Sequence, residues 1–81
     1  MQITYSEHAV SRMIERKVSV SDVALIISSP DGKIRQSLDK WIFYKRLPSR
    51  QDNSIAAVAF ELKSNRWEIV TVMINFEVVL Q

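Results

Sequence analysis

Hydrophobic and polar positions along the chain change period near Pro30, and that change predicts the order of elements. Residues 2–5 alternate polar and apolar and are β-prone, which predicts a short strand. Ser6 then opens a helical signal, with Glu7 in the first turn where an acid favours the helix dipole. Val10, Met13 and Ile14 fall on one face of this helix, with Ala9 at its margin. A helix over 6–17 is expected, with that face inward. Ser19 followed by Asp22 resembles a capping box, Asp standing in for the preferred Glu. A second helix is predicted over 20–28 and stops at Ser29-Pro30, because a residue before proline avoids the helical region.

Beyond Lys33 the period is two. Ile34, Gln36 and Leu38 alternate with Lys33, Arg35 and Ser37, and Asp39-Lys40 reads as a tight connection without the glycine that hairpin turns favour. Residues 41–47, 55–63 and 67–76 are β-prone strands, with a polar loop over 48–54 and a turn at Ser64-Asn65-Arg66. The predicted fold is α+β: two N-terminal helices packed on one face of a four- to five-stranded antiparallel sheet, residues 2–5 adding an edge strand. Val10, Ile14, Val23, Ile27, Val58, Phe60, Val70 and Val72 are the expected core. In the last two strands Val58, Phe60, Leu62, Val70, Val72 and Ile74 form a large apolar face, the expected partner of the helices. Ala57, Ala59, Ile69, Thr71 and Met73 form a smaller one. It needs a cover of its own: the tail Glu77-Val78-Val79-Leu80, a ligand, or a second copy in a homodimer.

Length keeps this to one domain over residues 1–81. A chain of this size buries roughly 60% of its open-chain surface, so its core is thin. The absence of cysteine excludes disulfides and thiolate metal sites and fits a reducing compartment. With no signal-peptide pattern over Met1–Tyr5 and no apolar run of membrane-helix length, a cytoplasmic location away from membranes is expected. Lys33, Arg35, Lys40, Lys45, Arg46 and Arg50 face only Asp39 within 33–50, a local charge of +5. The remaining five cations and eight acids leave −3 elsewhere, for a total of +2. Such asymmetry suits an anion-binding patch, or lysines and arginines that guard an edge hairpin.

Two constellations could carry chemistry. On the first helix His8, Arg12 and Arg16 recur at i, i+4 and i+8 and span about 80° of arc. They form either a reactive flank or a solvated helix face, where Glu15 pairs with Arg12. On the hairpin, Lys45, Arg46 and Arg50 interleave with Trp41, Phe43 and Tyr44. Cations neutralise phosphates and aromatic faces stack on unpaired bases, although strict alternation makes one aromatic set core. No metal site and no cofactor is expected, since neither a second imidazole nor a carboxylate cluster accompanies His8.

The run Ser6-Glu-His-Ala9, then Arg12-Met-Ile-Glu-Arg16, then Ser19 and Asp22-Val23, with Thr71-Val72 near the end, resembles the bacterial domain-of-unknown-function 4258 family. That family looks like a distant relative of RelE- and BrnT-type toxins, with two helices packed on a small antiparallel sheet. The resemblance marks His8, Arg12 and Arg16 as signature positions. It implies RNA as substrate, ribonuclease action without a metal, and a partner antitoxin. RelE-type enzymes place reactive residues on the sheet and near the C-terminus, whereas Val72–Gln81 here lacks Arg, Lys, His and Tyr.

The leading expectation is an RNA-binding, toxin-like domain, extended to metal-independent cleavage by candidate catalytic residues His8, Arg12, Arg16 and Tyr44. His8 would act as base or acid and Tyr44 as acid or stacking platform, with Lys33, Arg35, Lys45, Arg46 and Arg50 holding nucleic acid. The alternative is a non-catalytic protein-interaction module or homodimeric accessory protein.

Overall fold

The computed structural model describes residues 2–78. Strand β1 (Gln2–Tyr5) leads into helices α1 (Glu7–Arg16) and α2 (Val20–Ser28). Strands β2 (Gly32–Arg35), β3 (Lys40–Lys45), β4 (Ser54–Leu62) and β5 (Arg66–Phe76) follow. The helix ends fall where local chemistry puts them. The Ser6 hydroxyl accepts from the Ala9 amide at 3.0 Å, and Ser19 and Asp22 complete a reciprocal capping box. Lys17 closes α1 in the left-handed region with φ 57°, the usual helix-ending conformation.

All five strands form one sheet in the order β1-β5-β4-β3-β2. Strands β2 to β5 are antiparallel neighbours in chain order, as the period of two predicts. Strand β1 instead runs parallel to β5, with Gln2 opposite Arg66 and Tyr5 opposite Ile69, so the sheet is mixed and not wholly antiparallel. The direction follows from what comes next along the same edge of β5. The Ser6 amide donates to the Ile69 carbonyl at 2.9 Å and its hydroxyl to the Val70 carbonyl, while Arg16 reaches the Val72 carbonyl. Strand and helix thus follow one edge of β5 in one direction.

Both helices pack on a single face, and it is the face with the smaller residues. Ala9, Met13, Val23, Ile26 and Ile27 meet Phe43, Ala57, Ala59, Ile69 and Val72 in the main core. Ala57 and Ala59 let the helices approach the sheet closely, as bulkier side chains would not. The expected covering of Ala57, Ala59 and Ile69 is therefore supplied by the chain's own helices, without a second copy. Thr71, opposite Val58, and Met73 belong to the other face. An irregularity in β5 explains the exchange: Val58 pairs with Thr71 but Ala59 with Ile69, leaving Val70 surplus. That bulge puts both Ile69 and Val72 on the helix side and separates Val72 from Val70.

The expected core is corrected accordingly. Helix α1 turns Ala9 and Met13 inward, and Val10 and Ile14 are 44% and 74% exposed. Phe60 and Val70 are half-buried on the helix-free face, while Val23, Ile27, Val58 and Val72 are buried. Strand β2 ends at Arg35, short of Leu38, because the Arg35 guanidinium folds onto the Ser37 and Leu38 carbonyls at 3.1 and 2.6 Å. That bracket replaces the missing turn glycine. Of the tail, Val79 and Leu80 lie outside the described residues. No helix among the described residues is long and apolar enough to cross a membrane.

Candidate functional site

Most of the cations singled out by sequence are committed to holding the fold. Arg12 pairs with Glu15 at 2.9 Å, and Arg16 donates to the Val72 carbonyl across the helix–sheet boundary. Arg50 holds Asp52 through two bonds of 2.8 and 2.9 Å. Its remaining donors reach the Lys17 and Arg16 carbonyls at 2.7 and 3.2 Å. Those carbonyls end α1, where backbone acceptors lack intrahelical partners and the dipole favours a cation. Arg50 therefore ties the β3–β4 loop to the helix. Its hydrogen bonds hold the Asp52 carboxyl below the usual range, and the same pair raises the Arg50 pKa. Lys45 lies 3.6 Å from Asp31, whose carboxylate also accepts from the Arg46 amide at 2.8 Å. That amide, more than the Lys45 charge, holds the Asp31 pKa below its ordinary value.

Lys33 and Arg35 flank the Trp41 ring, 5.3 and 5.5 Å from its centroid, on the same sheet face as the helices. His8 is exposed on α1.

The opposite face carries no helix. Ile42, Ala56 and Val58 are buried at its centre, with Tyr44, Val70, Met73 and Phe76 around them. Tyr44 and Phe76 lie 5.5 Å apart at a tilt of 37°. The Tyr44 phenol rests where Gly32, its partner across the ladder, has no side chain. Beside these rings opens a cavity of about 310 Å³, lined by Tyr44, Arg46, Asn53, Ser54, Phe76 and Glu77. Asn53 fixes its rim, donating to Glu77 at 2.6 Å and, through its amide, to Asn75. At the far end of the face Lys40 sits 5.9 Å from the Phe60 ring centroid.

Tyr44 and Arg46 are thus brought together, and the sheet separates them from His8, Arg12 and Arg16. A single surface spanning the helix flank and the hairpin does not form. Sequence reasoning grouped Phe60 with Val58 and Val70 but put the helices over that face, and it did not assign Lys40, Asn53 or Phe76 to it. Alternation places Lys40 and Phe60 with Tyr44, and that signal was available. Phe76 was hidden because Asn75, at φ 53°, breaks the alternation of β5.

A mixed five-stranded sheet with both helices on one face, and an aromatic–cationic cavity on the other, defines a small α+β domain with an open sheet face. The chain belongs to the family described as a domain of unknown function, DUF4258, whose model matches residues 5–74. That span holds both helices and Tyr44, Arg46, Asn53 and Ser54. No curated protein and no solved structure matches the chain.

Proposed function

We propose that this domain binds single-stranded RNA on the helix-free face of its sheet, as a toxin-like module of the cytoplasm. The observation that carries the reading is the Tyr44–Phe76 pair beside Arg46 at an open cavity of about 310 Å³. Flat aromatic faces accept any unpaired base, each stack contributing about 1–3 kcal/mol, and a neighbouring guanidinium holds the phosphate. Arg46 and Lys40 have side chains outside the ion pairs that occupy Arg12, Lys45 and Arg50. The proposal concerns binding. Metal-independent cleavage would need an acid or base within reach of the phosphate, and His8 lies across the sheet from Tyr44 and Arg46.

A second reading has one observation in its favour. Ile34 is 37% exposed beside Ile42, and Val70 and Met73 add apolar surface, which suits a protein partner such as an antitoxin.

Fluorescence anisotropy with a short labelled oligoribonucleotide separates the two. Arg46→Ala and Lys40→Ala should each weaken binding and shallow the salt dependence by about 0.7 per lost phosphate contact. Tyr44→Ala and Phe76→Ala should weaken binding with the slope unchanged. Arg12→Ala and His8→Ala should leave both intact. No salt-sensitive affinity, or an Arg12→Ala loss equal to that of Arg46→Ala, would refute the proposal.

A further inference from the structure

The cavity beside Tyr44 and Phe76 holds a carboxylate as well as a cation. Glu77 directly follows Phe76, and Asn53 directly precedes Ser54, the residue that pairs with Phe76 across the ladder. The ladder therefore brings the Glu77 and Asn53 side chains together at the edge of the aromatic pair. Asn53 Nδ2 donates to Glu77 Oε1 at 2.6 Å, and the Asn53 backbone amide donates to Asn75 Oδ1 at 3.3 Å. The carboxylate is thus held in place through one oxygen, and among the described residues Oε2 accepts no hydrogen bond. Arg46 lines the same cavity. Among the described residues neither Arg46 nor Glu77 takes part in an ion pair, so the two charges stand apart.

We propose that Glu77 selects guanine among the RNA bases, meeting its Watson–Crick edge while the ring stacks on Tyr44 and Phe76. This rests on the RNA-binding reading above and adds a base identity to it. A carboxylate beside bound phosphates works against binding by like-charge repulsion, unless it meets hydrogen-bond donors. Carboxylates only accept, with about four lone-pair sites on two oxygens, so the bond from Asn53 leaves both oxygens able to accept more. Guanine offers two adjacent donors on that edge, N1–H and the N2 amino group, spaced to meet both oxygens of one carboxylate. Adenine and cytosine each set an amino donor beside a bare acceptor nitrogen, and uracil sets one N–H between two carbonyls. Any of these turns an acceptor toward the carboxylate, and polar groups left without a partner weaken binding. Stacking tolerates every base, so the edge contact is what discriminates. Arg46 remains available for the phosphate.

Fluorescence anisotropy with short uridine oligomers carrying one guanosine, inosine or adenosine tests it. The guanosine oligomer should bind about tenfold more tightly than the adenosine one, the gain expected of a good two-bond base contact. Inosine keeps N1–H but lacks the N2 amino group, and should fall between them. Glu77→Gln retains an acceptor for Asn53 but offers guanine one oxygen in place of two, and should bring the guanosine-to-adenosine ratio to about one. The ratio is taken within one protein, so a loss of stability in the variant does not imitate this result. Equal affinity for the guanosine and adenosine oligomers overturns the inference and leaves RNA binding standing, as does a guanosine preference that survives Glu77→Gln. Inosine bound as tightly as guanosine overturns it too. No salt-sensitive affinity for any oligomer overturns the RNA reading itself, and this inference with it.

Discussion

Gly32 is the chain's one glycine, and replacing it with alanine tests how the helix-free face is built. No glycine here has positive φ, so an alanine at this position meets no backbone strain. At such a site the substitution ordinarily stabilises by about 0.4–1 kcal/mol, because the unfolded chain loses freedom. Here the new methyl carbon would overlap the Tyr44 hydroxyl oxygen and Cζ and fall 2.9 Å from Cε1. The tip of the ring must therefore move by more than an ångström. Overpacking of this kind costs about 1–3 kcal/mol. Displacing the ring also loosens the 5.5 Å contact with Phe76, of a kind that contributes about 0.5–1.5 kcal/mol. With the gain subtracted, the central values of these terms leave Gly32→Ala destabilising the domain by about 2 kcal/mol. In a chain of this length that lowers the melting temperature by roughly 8–16 °C. In a Tyr44→Ala background the obstacle is gone, and the same change should be neutral or stabilising. Urea unfolding of the four proteins closes the cycle, with an expected coupling of about 2 kcal/mol. Equal cost in both backgrounds would refute the reasoning, because the glycine would then be required for something other than the ring.

Two further predictions concern the paired carboxylates Asp52 and Asp31 and their partners. Arg50→Met should destabilise the domain by about 2–3 kcal/mol, since it removes charge-assisted bonds to Asp52 and to the helix end. In thermal melts Asp52→Asn should give a smaller loss, because the bonds to the Arg16 and Lys17 carbonyls remain. The second is a pH dependence. Asp31 and Asp52 are held below the usual carboxylate pKa when folded, so the unfolded state binds their protons first as acid is added. Their stabilisation is complete above the ordinary carboxylate range and is lost as pH falls through the lowered folded values. Melting temperature should therefore drop on acidification, and less steeply in Asp31→Asn and Asp52→Asn than in wild type.

What was legible in the sequence was what depends on near neighbours. Both helices start at serines whose hydroxyls meet amides three residues on, and Pro30 marks the end of the second. The period of two located four strands to within a few residues. Pairing across the chain was not legible in the same way. Nothing in Gln2–Tyr5 says that its partner is Arg66–Ile69, or that it runs parallel. The faces were exchanged because alternation is a rule for regular strands, and β5 breaks it at Val70 and Asn75. The alanines of β4 read as a lesser face, yet their small size is what admits the helices. Among the cations, charge count alone suggested one basic surface. Arg50 stands two residues from Asp52, a spacing that could have been read as a structural pair. The commitment of Lys45 to Asp31 could not, because it joins the ends of two strands.

The position of β5 bears on how the chain reaches this fold. Its first half receives β1 and its Val70 and Val72 carbonyls receive Ser6 and Arg16, from residues as many as 64 positions earlier. During synthesis β1 and α1 are made first and wait through every other element for that edge to arrive. Until then the amides of β1 lack their partners and the inward face of α1 has no sheet to cover. Closing so large a loop is slow, and segments held open in this way are exposed to wrong pairing. The domain should therefore acquire its structure late and nearly all at once, when its last strand supplies the shared edge.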